Sequence, residues 1–333
     1  MNYPRQRARI LASAAPNPHG SAGVRPQIHS KSLGATFKVI YRYAKVYTIR
    51  GAVLSIISTS LLAVHKLSDF TPSFLTGVLQ ALIGGSLATS YVSAINQLSD
   101  IDIDKINKPY LPLPLGELSV KNAIRITSLY AILGFCLGWS TKSWPLKLGL
   151  LIWYALATAY SVHLPLLRWK NNPALAAMSI SLGRVCINIL FYLHVQTCIY
   201  GRSLLLSKHI IFLSGISGIF GLVIALLKDI PDVEGDKING VNSFALKVGK
   251  KPVFWFCIWL LEMAYGVAIL IGLSSTGFWI GWIMVICHSI LGFILWKEAN
   301  SVDLESDEAI ESFYRFIWKL RGVEDLLMPL LRF

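Results

Sequence analysis

Residues 70–107 read FTPSFLTGVLQALIGGSLATSYVSAINQLSDIDIDKIN. The stretch 70–99 carries no Asp, Glu, Lys or Arg, and then Asp100, Asp102 and Asp104 arrive in close order. A hydrocarbon core of about 30 Å is crossed by about 20 helical residues. The apolar part is therefore long enough to span a bilayer, and its acidic end emerges at the water layer. Runs equally free of charge fill 148–167, 209–227 and 263–296. The whole chain agrees: 54% of its residues are hydrophobic and only 15% charged, against about 25% charged in soluble domains. These features predict an all-α, multi-spanning membrane protein.

Working outward, the pattern predicts nine helices at about 47–64, 74–98, 121–139, 146–163, 173–196, 208–228, 252–273, 278–296 and 312–331. Pro72, Pro145, Pro173 and Pro252 stand near helix starts, where a missing N–H costs little. Ser275 and Gly277 mark the turn that divides 263–296. The last helix contains Arg315, Lys319, Arg321, Glu324 and Asp325, each costing about 2.5–3.5 kcal/mol at mid-membrane unless paired or placed at an interface. Lysines and arginines concentrate in alternate loops, around 105–121, 168–170 and 228–251. The positive-inside rule puts those loops on the stromal, matrix or cytosolic face.

The phrase that closes the first run recurs. DIDIDKIN at 100–107 becomes DVEGDKIN at 232–239, with four long apolar segments between them. An even number of crossings returns both phrases to one face. Within each, the outer carboxylates (Asp100 and Asp104, Asp232 and Asp236) are four residues apart and share a side if the helix continues. Asn96 extends that side inward by a turn. Like charges at this spacing repel, a poor arrangement for stability alone. It becomes useful for Mg²⁺, a hard ion that takes carboxylate oxygens together with those of a phosphate. A calcium loop is excluded, because its sixth and twelfth positions would be Lys105 and Leu111 rather than Gly and Glu.

Seven of the 18 acids lie in or beside the two phrases: Asp100, Asp102, Asp104, Asp229, Asp232, Glu234 and Asp236. The net charge of +13 sits in membrane-flanking loops, which suits anionic lipid and an anionic substrate rather than nucleic acid. The five cysteines show no C-x-x-C spacing and imply neither disulfides nor a metal cluster. Residues 1–40 are basic and contain no acid, as in an organellar transit segment or a disordered basic arm. The rest, 41–333, reads as one domain. Arg184 lies mid-helix in an apolar segment and is a functional candidate by position alone, or else a partner for Glu262. His194 reads as a core histidine.

NQLSDIDIDKINKPYLPL at 96–113, KDIPDVEGD at 228–236 and AYSVHLPLLRWK at 159–170 resemble the UbiA superfamily of intramembrane aromatic prenyltransferases. The nearest branch is similar to the plant homogentisate prenyltransferases and their relatives acting on flavonoids, coumarins and other phenols. That resemblance implies a nine-helix bundle around a cavity open at one face, in a plastid membrane with the acidic loops stromal. It implies Asn96, Asp100, Asp104, Asp232 and Asp236 as the Mg²⁺ and catalytic set. Gln97, Lys108, Tyr160, Arg168, Lys170, Arg184, Lys228 and Asp229 are implied as substrate contacts. The implied substrates are a prenyl diphosphate and an aromatic phenolic acceptor, with Trp153, Tyr154, Phe191 and Tyr192 available to face an allylic cation.

The chain departs from the family pattern at Lys45-Val46-Tyr47-Thr48, where Arg-Pro-His-Thr is usual, and at Arg50. It departs again at 319–325, which read Lys-Leu-Arg-Gly-Val-Glu-Asp in place of Lys-Leu-Phe-Tyr-Ala-Glu-Tyr. Such changes suit a relative recruited to specialised metabolism, transferring dimethylallyl or geranyl groups to a phenol. Homogentisate phytyl transfer is the alternative within the class. An ion-coupled transporter is the alternative outside it, and would place its acids at mid-membrane rather than at helix mouths.

Overall fold

The computed structural model describes residues 33–330 apart from 239, 241 and 276, with backbone alone at Tyr47 and 234–236. Residues 1–32 of the expected arm therefore lie outside the described residues, whereas 33–40 are not an arm but part of a helix whose Val39 is buried. Among those described, every regular element is helical. In chain order they are α1 (Leu33–Tyr43), α2 (Val46–Leu62), α3 (Pro72–Ser99), α4 (Ile101–Asn107), α5 (Val120–Ser140), α6 (Trp144–Ser161) and α7 (Pro173–Leu193). Then come α8 (Lys208–Lys228), α9 (Val233–Ile238), α10 (Phe244–Val248), α11 (Lys250–Leu273), α12 (Phe278–Asn300) and α13 (Asp307–Leu327). A π-helical segment, His194–Ile199, extends α7.

The starts follow from local chemistry. Thr71 Oγ1 accepts from Phe74 N and Asn172 Oδ1 from Leu175 N, each just ahead of a proline at the first helical position. Ser119, Ser143, Ser207 and Ser306 cap α5, α6, α8 and α13 in the same way. Each cap satisfies one donor that the helix cannot.

Every segment expected to be helical is helical, but the nine expected crossings are not all equally apolar. Among the described residues, six helices are long and apolar enough to cross a membrane: α3, α5, α7 with its extension, α8, α11 and α12. The apolar part of α2 is short, Thr48–Leu62. Lys147 and four aromatic residues dilute α6. The charges of α13 exclude it on composition, yet the fold pairs its buried ones. Arg321 Nη2 lies 3.4 Å from Asp325 Oδ2, and His288 Nε2 is 3.0 Å from Glu324 Oε1. All four side chains are buried.

Helices α2, α3, α6, α7, α8 and α13 surround a cavity of about 340 Å³. The α7–α8 contact is close because Gly221 stands at the crossing. A Cβ there would meet Arg184 Cδ at 2.9 Å and Ser181 Cα at 3.1 Å. On the outside, Trp139, Leu270, Trp279 and Phe293 are exposed, an apolar surface suited to lipid rather than water.

Candidate active site

α3 ends at Ser99 because Asp100 leaves helical geometry (φ −120°, ψ 19°). The Asp100 carbonyl then accepts from Asp104 N at 2.7 Å and begins α4. The helix therefore breaks at the first acid instead of continuing through the phrase. One turn still separates the two carboxylates, and both are buried. The second phrase is built alike: α8 ends at Lys228, Asp229 caps it, and a turn through Asp232 leads into α9. The two short helices, α4 and α9, pack against each other. The repeated phrases thus meet on one face.

Basic side chains hold the acids. Asn96 Nδ2 donates to Asp100 Oδ2 at 2.8 Å, and Lys170 Nζ donates to Asp100 Oδ1. Arg168 Nη2 is 3.6 Å from the same oxygen. Both cations come from a loop in which Leu166 and Arg168 adopt positive φ (67° and 58°), a costly geometry for bulky side chains that tertiary contacts must hold. Lys108 Nζ donates to Asp232 Oδ2 at 2.5 Å, tying the end of the first phrase to the start of the second. Lys228 lies 3.0 Å from Asp229 and 5.6 Å from the centre of the Tyr160 ring.

Burial pushes the Asp104 carboxyl up to about 6, against the ammonium groups of Lys108 and Lys45. Burial and the neighbouring Lys108 bring Lys45 down to about 8. For Lys108 burial acts downward too, but Asp232 more than offsets it and holds the ammonium above the usual lysine range. Burial lowers Lys170 despite Asp100 beside it.

Asn96, Tyr160 and Lys228 line the cavity itself, with Lys45 at its mouth. Lys45 was not among the expected contacts. Its signal was a lysine immediately ahead of the first apolar helix, where the family pattern differs. Gln97 is not brought to the cavity: its Nε2 donates to Tyr43 O at 2.6 Å and Ser93 O at 3.2 Å. One residue round the helix from Asn96, it faces α1 instead. Arg184 lines the cavity and lies 5.1 Å from the Trp318 ring centre, not beside Glu262. It is also deeper than the rim. Its neighbour Gly221 is seven residues before Lys228, about 10 Å along α8. Trp153 and Phe191 line the cavity, whereas Tyr154 turns away to donate to Tyr130 O at 2.9 Å. Tyr192 is buried in the core beside Leu62 and Leu193. His194 is satisfied by Ser143 Oγ at 2.7 Å and Gly77 O at 3.0 Å. The Asp236 side chain lies outside the described residues.

Asp100, Asp104, Asp232 and the Asn96 amide offer oxygen donors only, the set a hard divalent cation takes. Buried Asp104 is a carboxyl whose charge a cation would stabilise. Among the described residues, no three His, Cys, Asp or Glu side chains are gathered closely enough to hold a metal by themselves. Further oxygens would have to come from Asp236, from a phosphate or from water.

Residues 52–320 match the UbiA prenyltransferase family. Over 99% of its length the chain is 46% identical to homogentisate phytyltransferase 1, chloroplastic, of Arabidopsis thaliana, covering 84% of that protein. It is 44% identical to naringenin 8-dimethylallyltransferase 2, chloroplastic, of Sophora flavescens, over 90% of the chain and 74% of the relative. Its fold is shared with a UbiA homolog from Archaeoglobus fulgidus bound to GPP and Mg²⁺. That match has a TM-score of 0.59 at 16% identity, over 87% of this chain and 99% of that one. Two acidic phrases facing each other at the mouth of a helix-lined cavity thus accompany a match along most of the sequence, and the chain belongs to the UbiA prenyltransferase family.

Proposed function

We propose that this prenyltransferase moves an allylic prenyl group from its diphosphate to a ring carbon of a phenol, with Mg²⁺, in the plastid membrane. The observation that carries this reading is the Lys108–Asp232 contact. It joins the two acidic phrases at one rim, above a cavity whose described lining holds Lys45, Lys228, Arg184 and Arg321 but no acid. In this reading nine helices cross the bilayer, the rim faces the stroma, and the residues ahead of α1 form the transit segment or arm, shorter than the expected 1–40 because Val39 of α1 is buried in the core.

Asn96, Asp100, Asp104, Asp232 and Asp236 would hold Mg²⁺, which when bound supplies Lewis-acid neutralisation of the diphosphate. Lys45, Lys108, Arg168, Lys170 and Lys228 bind diphosphate oxygens and take up charge as the allylic C–O bond breaks. Lys108, Arg168, Lys170 and Lys228 now lie against carboxylates that they would leave for the diphosphate, and Lys45 stands beside them at the mouth of the cavity. The ring faces of Trp153, Tyr160 and Phe191 stabilise the cation that forms. A ring carbon of the phenol supplies the electron pair for the new C–C bond, and the ring proton passes to a rim carboxylate or to the departing diphosphate.

Two acceptor classes fit. The homogentisate relatives favour homogentisate at least as well as the naringenin and coumarin relatives favour flavonoids or coumarins. Membranes containing the full chain and Mg²⁺, supplied with dimethylallyl, geranyl, geranylgeranyl and phytyl diphosphates against homogentisate, naringenin and a hydroxycoumarin, separate them. A prenylated phenol from any pair supports the reaction class. Solute flux with no prenylated product from any pair overturns it in favour of a transporter.

A further inference from the structure

We infer that Arg184 and Arg321, with Asn188 and Ser55, form a second anion site in the deep part of the cavity, which holds the acid group of a carboxylate-bearing phenol. This rests on the reading of the cavity as the meeting place of donor and acceptor.

The described cavity lining contains four cations and no Asp or Glu, and the cations fall into two groups. Lys45 and Lys228 stand at the rim with the acidic phrases. Arg184 and Arg321 stand below them. Arg321 Nη2 donates to Ser55 Oγ at 3.1 Å and Nη1 to Ser217 O at 3.4 Å. Ser55 is ten residues beyond Lys45 and Ser217 eleven before Lys228, so both helices place Arg321 about 15 Å below the rim. A diphosphate gripped by the rim lysines does not extend that far. The deep pair therefore serves something else.

Three nitrogens there have no partner. Arg184 Nε, Arg321 Nε and Asn188 Nδ2 are all buried without a hydrogen bond, and all three residues line the cavity. Arg321 is 2% and Asn188 4% exposed. A buried unpaired donor carries the full cost of its desolvation, and three together suit a ligand that only accepts. Charge agrees: Asp325 is the acid that pairs with Arg321, leaving Arg184 in excess and the group Arg184, Arg321 and Asp325 at +1. Glu324 is held by His288, and neither lines the cavity. A monoanion completes the balance. A carboxylate on the acceptor meets two guanidinium groups and an amide, while its ring extends upward past Trp153, Phe191 and Tyr160 toward the rim.

The test is equilibrium binding to the purified full chain in lipid nanodiscs, with two probes that differ by the carboxylate: homogentisate and methylhydroquinone. Wild-type protein is expected to bind homogentisate at least about tenfold more tightly, the worth of one charge-assisted hydrogen bond. Arg184→Met should erase that preference. So should the double exchange Arg321→Met with Asp325→Leu, which removes a buried pair without stranding a charge. Geranyl diphosphate binding, read on the same preparations, is expected to stay within about twofold of wild type. Equal binding of the two probes by wild type overturns the site. So does a preference that survives both sets of substitutions. Loss of geranyl diphosphate binding in parallel with homogentisate assigns the arginines to the donor and also overturns it. Failure to prenylate any phenol would count against the proposed reaction and leaves this binding comparison intact.

Discussion

Lys108 Nζ and Asp232 Oδ2 lie 2.5 Å apart although 124 residues of chain separate them. Both are partly buried, so the contact draws the two acidic phrases into one electrostatic unit. Removing either carboxylate set should end transfer. We expect Asp100→Ala and Asp232→Ala to lower kcat/KM by at least about a thousandfold, roughly 4 kcal/mol of transition-state stabilisation. The variants should still insert and elute as wild type. Initial rates of the purified variants check this, and full activity in Asp232→Ala would remove the mechanism.

Asp104 offers a separable effect. Its folded-state carboxyl is raised to about 6 by burial, above the value near 3.9 of an unfolded chain. Ionising it therefore costs more in the folded state, and stability falls as pH rises from about 4 to about 6. Asp104→Asn should remove that fall. It should make the metal-free protein more stable at pH 7, by up to about 3 kcal/mol, while destroying turnover. Thermal unfolding at pH 4 and pH 7, with EDTA present, measures it. A variant less stable than wild type at pH 7 contradicts the expectation.

The basic loop should act on the donor rather than on the fold. Lys170 and Arg168 both address Asp100, and in the proposed complex they turn to diphosphate oxygens. Lys170→Met should raise the KM for the prenyl diphosphate about tenfold or more, the scale of one lost charge-assisted hydrogen bond. The acceptor KM should move little. Separate titrations of donor and acceptor decide this.

Treatment with EDTA should abolish transfer, and added Mg²⁺ should restore it. Ca²⁺, which prefers longer bonds and more ligands, should restore far less. Activity that persists through exhaustive chelation would show that the carboxylates serve another purpose.

At the other end of α3, Asp69 accepts from His65 N, Lys66 N and Arg202 Nη2 at 2.7, 3.2 and 2.6 Å. α3 is 28 residues long, so this clamp lies about 40 Å from the acidic rim. Asp69→Ala should lower the melting temperature by several degrees and leave both substrates' KM values near wild type. Differential scanning fluorimetry with kinetics on the same sample tests both halves.

Much of this architecture was legible in the chain. Runs without charge announced the helices, and prolines marked several starts. The repeated phrase pointed to one shared acidic site, and the packing of α4 against α9 brings its two copies together. What was not legible depended on neighbours distant in sequence. The break at Asp100 has no proline or glycine to betray it. Gln97 and Asn96 are chemically alike and adjacent, and only the packing of α3 against α1 separates their roles. The charges of α13 looked costly because Ser55, Ser217 and His288, which receive them, are far away in the chain. Arg184 stood out as a charge within an apolar segment, but its depth below the rim follows from α7–α8 packing at Gly221.

The join between Lys108 and Asp232 bears on biogenesis. A ribosome that has released the first phrase into the bilayer has delivered only half of the machinery, with the complementary half still untranslated or in the exit tunnel. A shortened product ending before the second phrase lacks Asp232 and is expected to show no transfer. On that expectation, transfer begins only in molecules whose chain has been completed past the second phrase.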